Sequence, residues 1–145
     1  MIEEPRHQIA PAERENILRV LRDALAARPD VVFAYLFGSF TDAARSVHDI
    51  DVGVFFAGEA QASSEAALEL GELLQRLIRH HGHRIPIDVR PLNLAPLGFR
   101  FHVYQGQLLA SRDEELRVHE VATTAARYLD ILPLQRRALK EAMLA

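Results

Sequence analysis

The feature that most limits how this chain can fold is a set of three short apolar runs, each interrupted or bounded by glycine or aspartate. Val31 to Phe37 leads directly into Gly38-Ser39, and nine residues later Asp49-Ile50-Asp51 opens a run that ends at Phe56. A third run, Ile85-Pro86-Ile87-Asp88-Val89, encloses a lone carboxylate. The first two are rich in Val, Phe, Tyr and Ile, and too short and β-branched to favour helix. In a strand, residues two apart point the same way, so Asp49 and Asp51 share one face while Ile50, Val52 and Val54 take the other. The same alternation turns Ile87 and Val89 inward and Asp88 outward. Adjacent pairing of these two strands gathers all three carboxylates on one face and core on the other.

The remaining elements alternate with these strands. Glu13 to Arg28 carries Ile17, Val20, Leu21, Ala24 and Leu25 on one helical stripe, bounded by Pro11 and Pro29. Gly38 to Arg45 reads as a turn into a short helix, with Ser39 and Thr41 as candidate caps. The second strand spans Asp49 to Phe56. Ser63 or Ser64 opens a long helix with Ala67, Leu70, Leu74, Leu77 and Ile78 in phase, ending near Gly82. The third strand spans Ile85 to Leu92. Ala95 to Gln105 reads as a short helix stopped by Gly106, and Gln107 to Ala110 as a brief strand. The last segment, 112–145, is helical, with Val118, Val121, Ala122, Ala125, Leu129 and Leu132 on one face and Pro133 expected to kink or end the helix before Leu134 to Leu144 continues. The expected fold class is α+β, a small mixed β-sheet packed with α-helices and a helical C-terminus, formed as one domain over 1–145.

Composition removes several functional classes. With 17 Lys and Arg against 20 Asp and Glu, the net charge of -3 leaves no broad basic face, so direct nucleic-acid binding is not expected. A small anion brought in by metal ions remains compatible. The absence of cysteine excludes disulfides and thiolate zinc sites and fits a reducing compartment. No apolar signal core or run approaching the roughly 20 residues of a membrane span is present, and the cytoplasm is the expected location.

Grouped carboxylates beside a glycine turn suit phosphoryl-type transfer. Two magnesium ions roughly 3.5 to 4 Å apart clamp the attacking and leaving oxygens, and hard cations prefer carboxylate oxygen. Asp49 and Asp51 are positioned to bridge both metals, and Asp88 to bind the metal carrying the nucleophile and to accept a hydroxyl proton. Gly38 lets the backbone approach a triphosphate, and Ser39 offers a hydroxyl and amides to its terminal phosphates.

Phe37-Gly38-Ser39 with Asp49-Ile50-Asp51 resembles the signature of the DNA polymerase beta nucleotidyltransferase superfamily. The segment Ile87-Asp88-Val89-Arg90-Pro91-Leu92-Asn93-Leu94-Ala95-Pro96, followed by Gly106-Gln107-Leu108-Leu109, resembles the minimal nucleotidyltransferase (MNT) antitoxins, and the likeness runs from about Val31 to Tyr128. The resemblance implies a polymerase-beta-like nucleotidyltransferase fold. It further implies a type VII antitoxin, a magnesium-dependent protein adenylyltransferase moving AMP from ATP to a tyrosine of a HEPN-domain RNase toxin. Carried over, Gly38 and Ser39 hold the triphosphate, while Asp49, Asp51 and Asp88 are the catalytic and metal-binding carboxylates. Many relatives have Arg-Gly soon after Gly-Ser and Ser before the first Asp; here Asp42-Ala43 and His48 stand there, and His48 removes a small hydroxyl near the phosphates.

Other features have plainer readings. His80, His81 and His83 sit at a helix C-terminus, where the dipole favours them over a metal tract. Arg112 and His119 have the spacing of a HEPN RNase motif, but Val121 stands where that motif has Tyr. Arg45 reads as solvated charge, with phosphate contact as the lesser reading, and Arg136, Arg137 and Lys140 are too few for a nucleic-acid patch. Tyr128, Leu132, Leu134, Leu139, Met143 and Leu144 either cover the sheet or form a partner surface. Two alternatives to the protein adenylyltransferase stand beside it: an antitoxin acting by direct binding, and a nucleotidyltransferase acting on a small-molecule hydroxyl.

Overall fold

The computed structural model describes residues 8–42 and 47–144. A first helix, α1 (Pro11–Ala27), leads into β1 (Val31–Phe37), a 3-10 turn over Gly38–Thr41, and β2 (Ile50–Phe56). A second 3-10 turn (Ala60–Ala62) opens α2 (Ser63–His80), followed by β3 (Ile87–Pro91), α3 (Leu97–Tyr104), β4 (Gln107–Ser111) and α4 (Glu114–Leu144). The strands form one sheet in the order β3-β2-β1-β4. β1 is antiparallel to both β2 and β4, whereas β2 and β3 run parallel and are joined through α2. The expected mixed sheet with helices packed on it is therefore present. The strands match the apolar runs to within a few residues, because their β-branched and aromatic side chains suit a pleated sheet covered on both faces.

Every residue of β1 is buried, which requires a core on each face of the sheet. Ala34 and Leu36, with Ile50, Val52, Val54 and Phe56, pack against Ile17, Leu21 and Leu25 of α1 and Leu70, Leu74 and Ile78 of α2. Phe33, Tyr35 and Phe37 face the other way, onto Leu92, Val103 and the half-buried Phe99, Tyr104 and Val121. This second core is aromatic: Phe33 stacks on Phe55 at 5.1 Å, and Phe37 meets Phe99 edge-on at 5.6 Å. Gly53 lets α3 approach, since a Cβ there would lie 2.6 Å from Val103 Cγ1.

The β3 edge is closed by side chains. In β3, residues 86, 88, 90 and 92 bond to β2, leaving 87, 89 and 91 facing outward. Gln75 of α2 accepts from the Ile87 N–H at 2.8 Å and donates to the Ile85 carbonyl at 2.9 Å, and Pro91 has no N–H to offer. Such devices protect an edge from pairing with another strand. Asn93 likewise extends the ladder, bonding both the N–H and the carbonyl of Phe56.

Three expectations need correction. Ser39 and Thr41 do not cap a helix N-terminus: Phe37 is the N-cap of the 3-10 turn, without a side-chain cap, and Thr41 Oγ1 donates to the Gly38 carbonyl at 2.7 Å. Of the two outcomes expected at Pro133, a kink or an end, the end is excluded, since α4 continues to Leu144. The bond that proline cannot make falls on an exposed stretch, where the freed carbonyl is open to solvent. The third correction concerns which face of α4 is buried. Of the expected stripe, Val121 packs on the aromatic core and Ala125 and Leu132 are half-buried, but Val118 and Leu129 remain 52% and 56% exposed, while Thr124 is the buried residue of the helix. Polar groups take the inner face because they have partners there. Arg117 Nη1 donates to Tyr35 Oη at 2.7 Å, and Glu120 Oε1 accepts from Arg100, Tyr104 and Thr124. Burial and the nearby Glu120 carboxylate push the Tyr104 phenol well above its ordinary range, so it stays a donor.

Gly53→Ala is expected to force Val103 and Leu92 to shift and to destabilise the fold by about 1–3 kcal/mol. Gly71→Ala, where the added Cβ meets Val89 only at 3.6 Å, is expected to stabilise α2 by up to about 1 kcal/mol. Paired thermal melts of the two variants distinguish a packing role from a helix-propensity cost.

Candidate active site

The parallel register places Asp51 opposite Asp88, and the antiparallel register places Asp51 opposite Phe37, the residue before Gly38. Asp49 immediately precedes β2. All three carboxylates lie on the α3 side of the sheet, because Ile50, Val52 and Val54 are committed to the core on the α1–α2 side. Gly38 has φ +78°, and a Cβ on it would collide with Asp51 Oδ2. Only glycine permits both this backbone conformation and the close approach of that carboxylate. Ser39, half-buried, follows in the turn.

The charges interact. Asp51 is pushed up to about 6, first by burial, then by the charges of Asp49 and Asp88 and a side-chain hydrogen bond with Asp49, with Arg90 pulling the other way. Asp88 Oδ2 accepts from Arg90 Nε at 2.9 Å across an exposed ion pair. As placed, no three His, Cys, Asp or Glu side chains among the described residues surround a single point closely enough to hold an ion. The grouping expected from strand alternation is thus achieved in register and face, while Asp88 is turned to its own guanidinium neighbour.

The donor set nevertheless fits a hard divalent cation. It is all carboxylate oxygen, it carries mutual repulsion that a cation relieves, and the Gly38 turn beside it keeps open the space a side chain would fill. Arg90 supplies part of that compensation, and its 59% exposed side chain is free to be released to solvent.

Other sequence candidates are placed elsewhere. His83 is buried against α1, with Nε2 2.7 Å from Asn16 Oδ1 and Nδ1 3.3 Å from Glu13 Oε1, whereas His80 and His81 are exposed. Arg112 donates to the carbonyls of Ala26 and Arg28, a structural tie between α1 and the end of β4. His48 is half-buried beside Asp49, and Arg45 lies outside the described residues. The residue that sequence reasoning missed is Arg90. Its signal was present in the alternation, since a residue two positions after Asp88 in a strand shares its face.

A glycine turn and clustered carboxylates on one face of a mixed sheet define a site of the phosphoryl-transfer class. Residues 19–115 match the family model described as Polymerase beta, Nucleotidyltransferase, and the chain belongs to that family. A comparison with curated protein sequences finds no match. Among solved structures, the chain is similar in fold to one in the tri-AMPylated Shewanella oneidensis HEPN toxin in complex with MNT antitoxin. That likeness has a TM-score of 0.60 and 22% identity, and covers 91% of this chain and 96% of that one. It is also similar to a chain of a toxin-antitoxin structure with AMP-PNP, at a TM-score of 0.64 and 22% identity over 91% of this chain and 98% of that one. A chain of a MntA-HpeT toxin-antitoxin mutant gives 0.63 and 23% over 91% and 98%. No helix among the described residues is long and apolar enough to cross a membrane.

The raised Asp51 fixes a pH dependence. A carboxyl that titrates near 3.8 when unfolded and about 6 when folded contributes stability fully present below the lower value and lost as pH rises through the upper one. In metal-free buffer the melting midpoint is expected to rise between pH 7 and pH 5. Asp51→Asn is expected to flatten that rise and to be the more stable protein at pH 7, by about 1 kcal/mol after allowance for solvent screening.

Proposed function

We propose that this protein is an MNT antitoxin, a magnesium-dependent adenylyltransferase that moves AMP from ATP to a tyrosine hydroxyl of a HEPN-domain RNase toxin and so neutralises it in the cytoplasm. The observation that carries the reading is the register that sets Asp51 between the Gly38 turn on one side and Asp88 on the other. Membership of the nucleotidyltransferase family supports nucleotidyl transfer in general. The fold shared with chains of the AMPylated-toxin and AMP-PNP structures supports the choice of AMP and of a toxin acceptor.

In this reading Gly38 and Ser39 hold the triphosphate through backbone amides and the serine hydroxyl. Asp49, Asp51 and Asp88 would hold magnesium, which when bound supplies charge neutralisation for the reacting phosphate. The acceptor oxygen forms a bond to the α-phosphorus, the bond from that phosphorus to the oxygen bridging it to the β-phosphate breaks, and pyrophosphate leaves with the bonding pair. The hydroxyl proton passes to Asp88, whose carboxylate must first part from Arg90.

A second reading is neutralisation by binding alone, for which α4 offers an exposed apolar surface. Of the six side chains given two possible roles, Leu134, Leu139, Met143 and Leu144 are 63 to 77% exposed and do not cover the sheet, whereas Leu132 is half-buried and Tyr128, also half-buried, stacks on Phe101 at 4.4 Å. This surface suits partner docking in either reading.

Intact mass of the toxin after incubation with this protein, ATP and magnesium separates the two. The enzyme reading predicts gains in whole AMP units, reduced at least about 100-fold in rate by Asp49→Asn with Asp51→Asn. An unmodified toxin that the double variant still neutralises would establish the binding antitoxin instead.

A further inference from the structure

The adenylyl-transfer reading, on which this inference rests, leaves the acceptor's route into the site to be found. In-line transfer puts the attacking and leaving oxygens on opposite sides of the α-phosphorus. With the triphosphate at Gly38, on the β1 side of Asp51, the acceptor oxygen arrives from the β3 side, where Asp88 stands. β3 is an edge strand, but its backbone is guarded by Gln75 and Pro91, so the acceptor does not enter as an added strand. Two clefts flank this edge. One, between α2 and β3, has charged walls that include Glu72, Arg76 and Arg79.

The other cleft, of about 400 Å³, is different in character. Leu94, Pro96 and Phe99 make an apolar wall, Ser63 and Ser64 stand at the start of α2, and Arg90 forms the side nearest the carboxylates. Arg90 belongs to both places, lining the cleft while its Nε holds Asp88 Oδ2 at 2.9 Å. Leu94 is 68% exposed, an apolar side chain open to solvent beside a polar catalytic face. Along a strand, two residues separate Asp88 from Arg90 by about 6.5 Å, close to the reach of a tyrosine side chain.

We propose that this cleft is the acceptor pocket, taking the aromatic ring of the toxin's tyrosine against Leu94, Pro96 and Phe99 with its hydroxyl directed toward Asp88. Arg90 acts as the gate between pocket and carboxylates: paired with Asp88 at rest, it is displaced from that carboxylate when the hydroxyl takes its place. The apolar wall recognises the ring, and Asp88 selects a ring that carries a hydroxyl.

The test uses protein labelled at leucine methyls and backbone amides, with N-acetyltyrosinamide as the probe in the presence of magnesium and α,β-methylene-ATP. The Leu94 methyls are expected to shift saturably, and Leu94→Asp to raise the apparent Kd for the probe at least about fivefold. Adenosine alone is expected to leave the Leu94 methyls unmoved. Saturable shifts of Leu94 by adenosine would assign the cleft to the nucleobase and overturn the proposal, as would no response to the tyrosine probe. The Gly38 and Ser39 amides report separately on the underlying reading. If they respond to the magnesium nucleotide while Leu94 ignores the probe, the pocket assignment fails alone; if they do not respond, the nucleotide site itself is refuted.

Discussion

The parallel pairing of β2 with β3 is the constraint on which the rest of the molecule depends. It requires two strands to carry carboxylates on one face at adjacent positions, Asp51 beside Asp88, with Asp49 just before them. Burial first, and then the like charges so placed, push Asp51 upward and oppose folding. The opposite face compensates through apolar burial. Ile50, Val52 and Val54 are fully buried against α1 and α2, and each such side chain contributes about 1.5–3 kcal/mol relative to exposure. The site is therefore held by a core with which it shares no side chains.

The second core explains why the carboxylate face is not simply flooded by solvent along its length. α3 and α4 cover the aromatic half of that face, and Gly53 lets α3 close down on the strand two residues beyond Asp51. Coverage stops short of Asp51 and Asp88, which remain half-buried rather than sealed. Phe37, edge-on to Phe99, joins the two regions, so packing under α3 also supports the turn that begins at Gly38. α4 is tied down by polar links through Arg117, Glu120 and Thr124 together with Val121 on the aromatic core and Tyr128 stacked on Phe101 at 4.4 Å. Satisfied buried polar groups of this kind are costly to disrupt and so define one orientation for the helix.

Arg90 connects resting electrostatics to chemistry. Its guanidinium offsets part of the charge that Asp88 and Asp51 bring together, on an exposed side chain that is cheap to move. A permanent buried counter-ion would fill the space beside the Gly38 turn that the proposed cation and nucleotide would occupy. An exposed one on the same strand face offsets that charge and leaves the space open; in the proposed reading it yields when they bind.

The sequence by itself determined the strands, the face on which each carboxylate lies, and the glycine that must precede them. Those follow from local rules, period-two alternation and the conformational freedom of a residue without Cβ. It did not determine which face of α4 is buried. Val118, Ala122 and Leu129 of the expected apolar stripe stay exposed although Val121 packs on the aromatic core, and the helix turns Arg117, Glu120 and Thr124 inward because Tyr35, Arg100 and Tyr104 wait there on other elements. Nor did it determine that Asp88 rests on Arg90, or that Gln75 closes the β3 edge. Alternation states which way a side chain points. Only the assembled sheet and helices decide what it meets, because those partners come from segments distant in the chain.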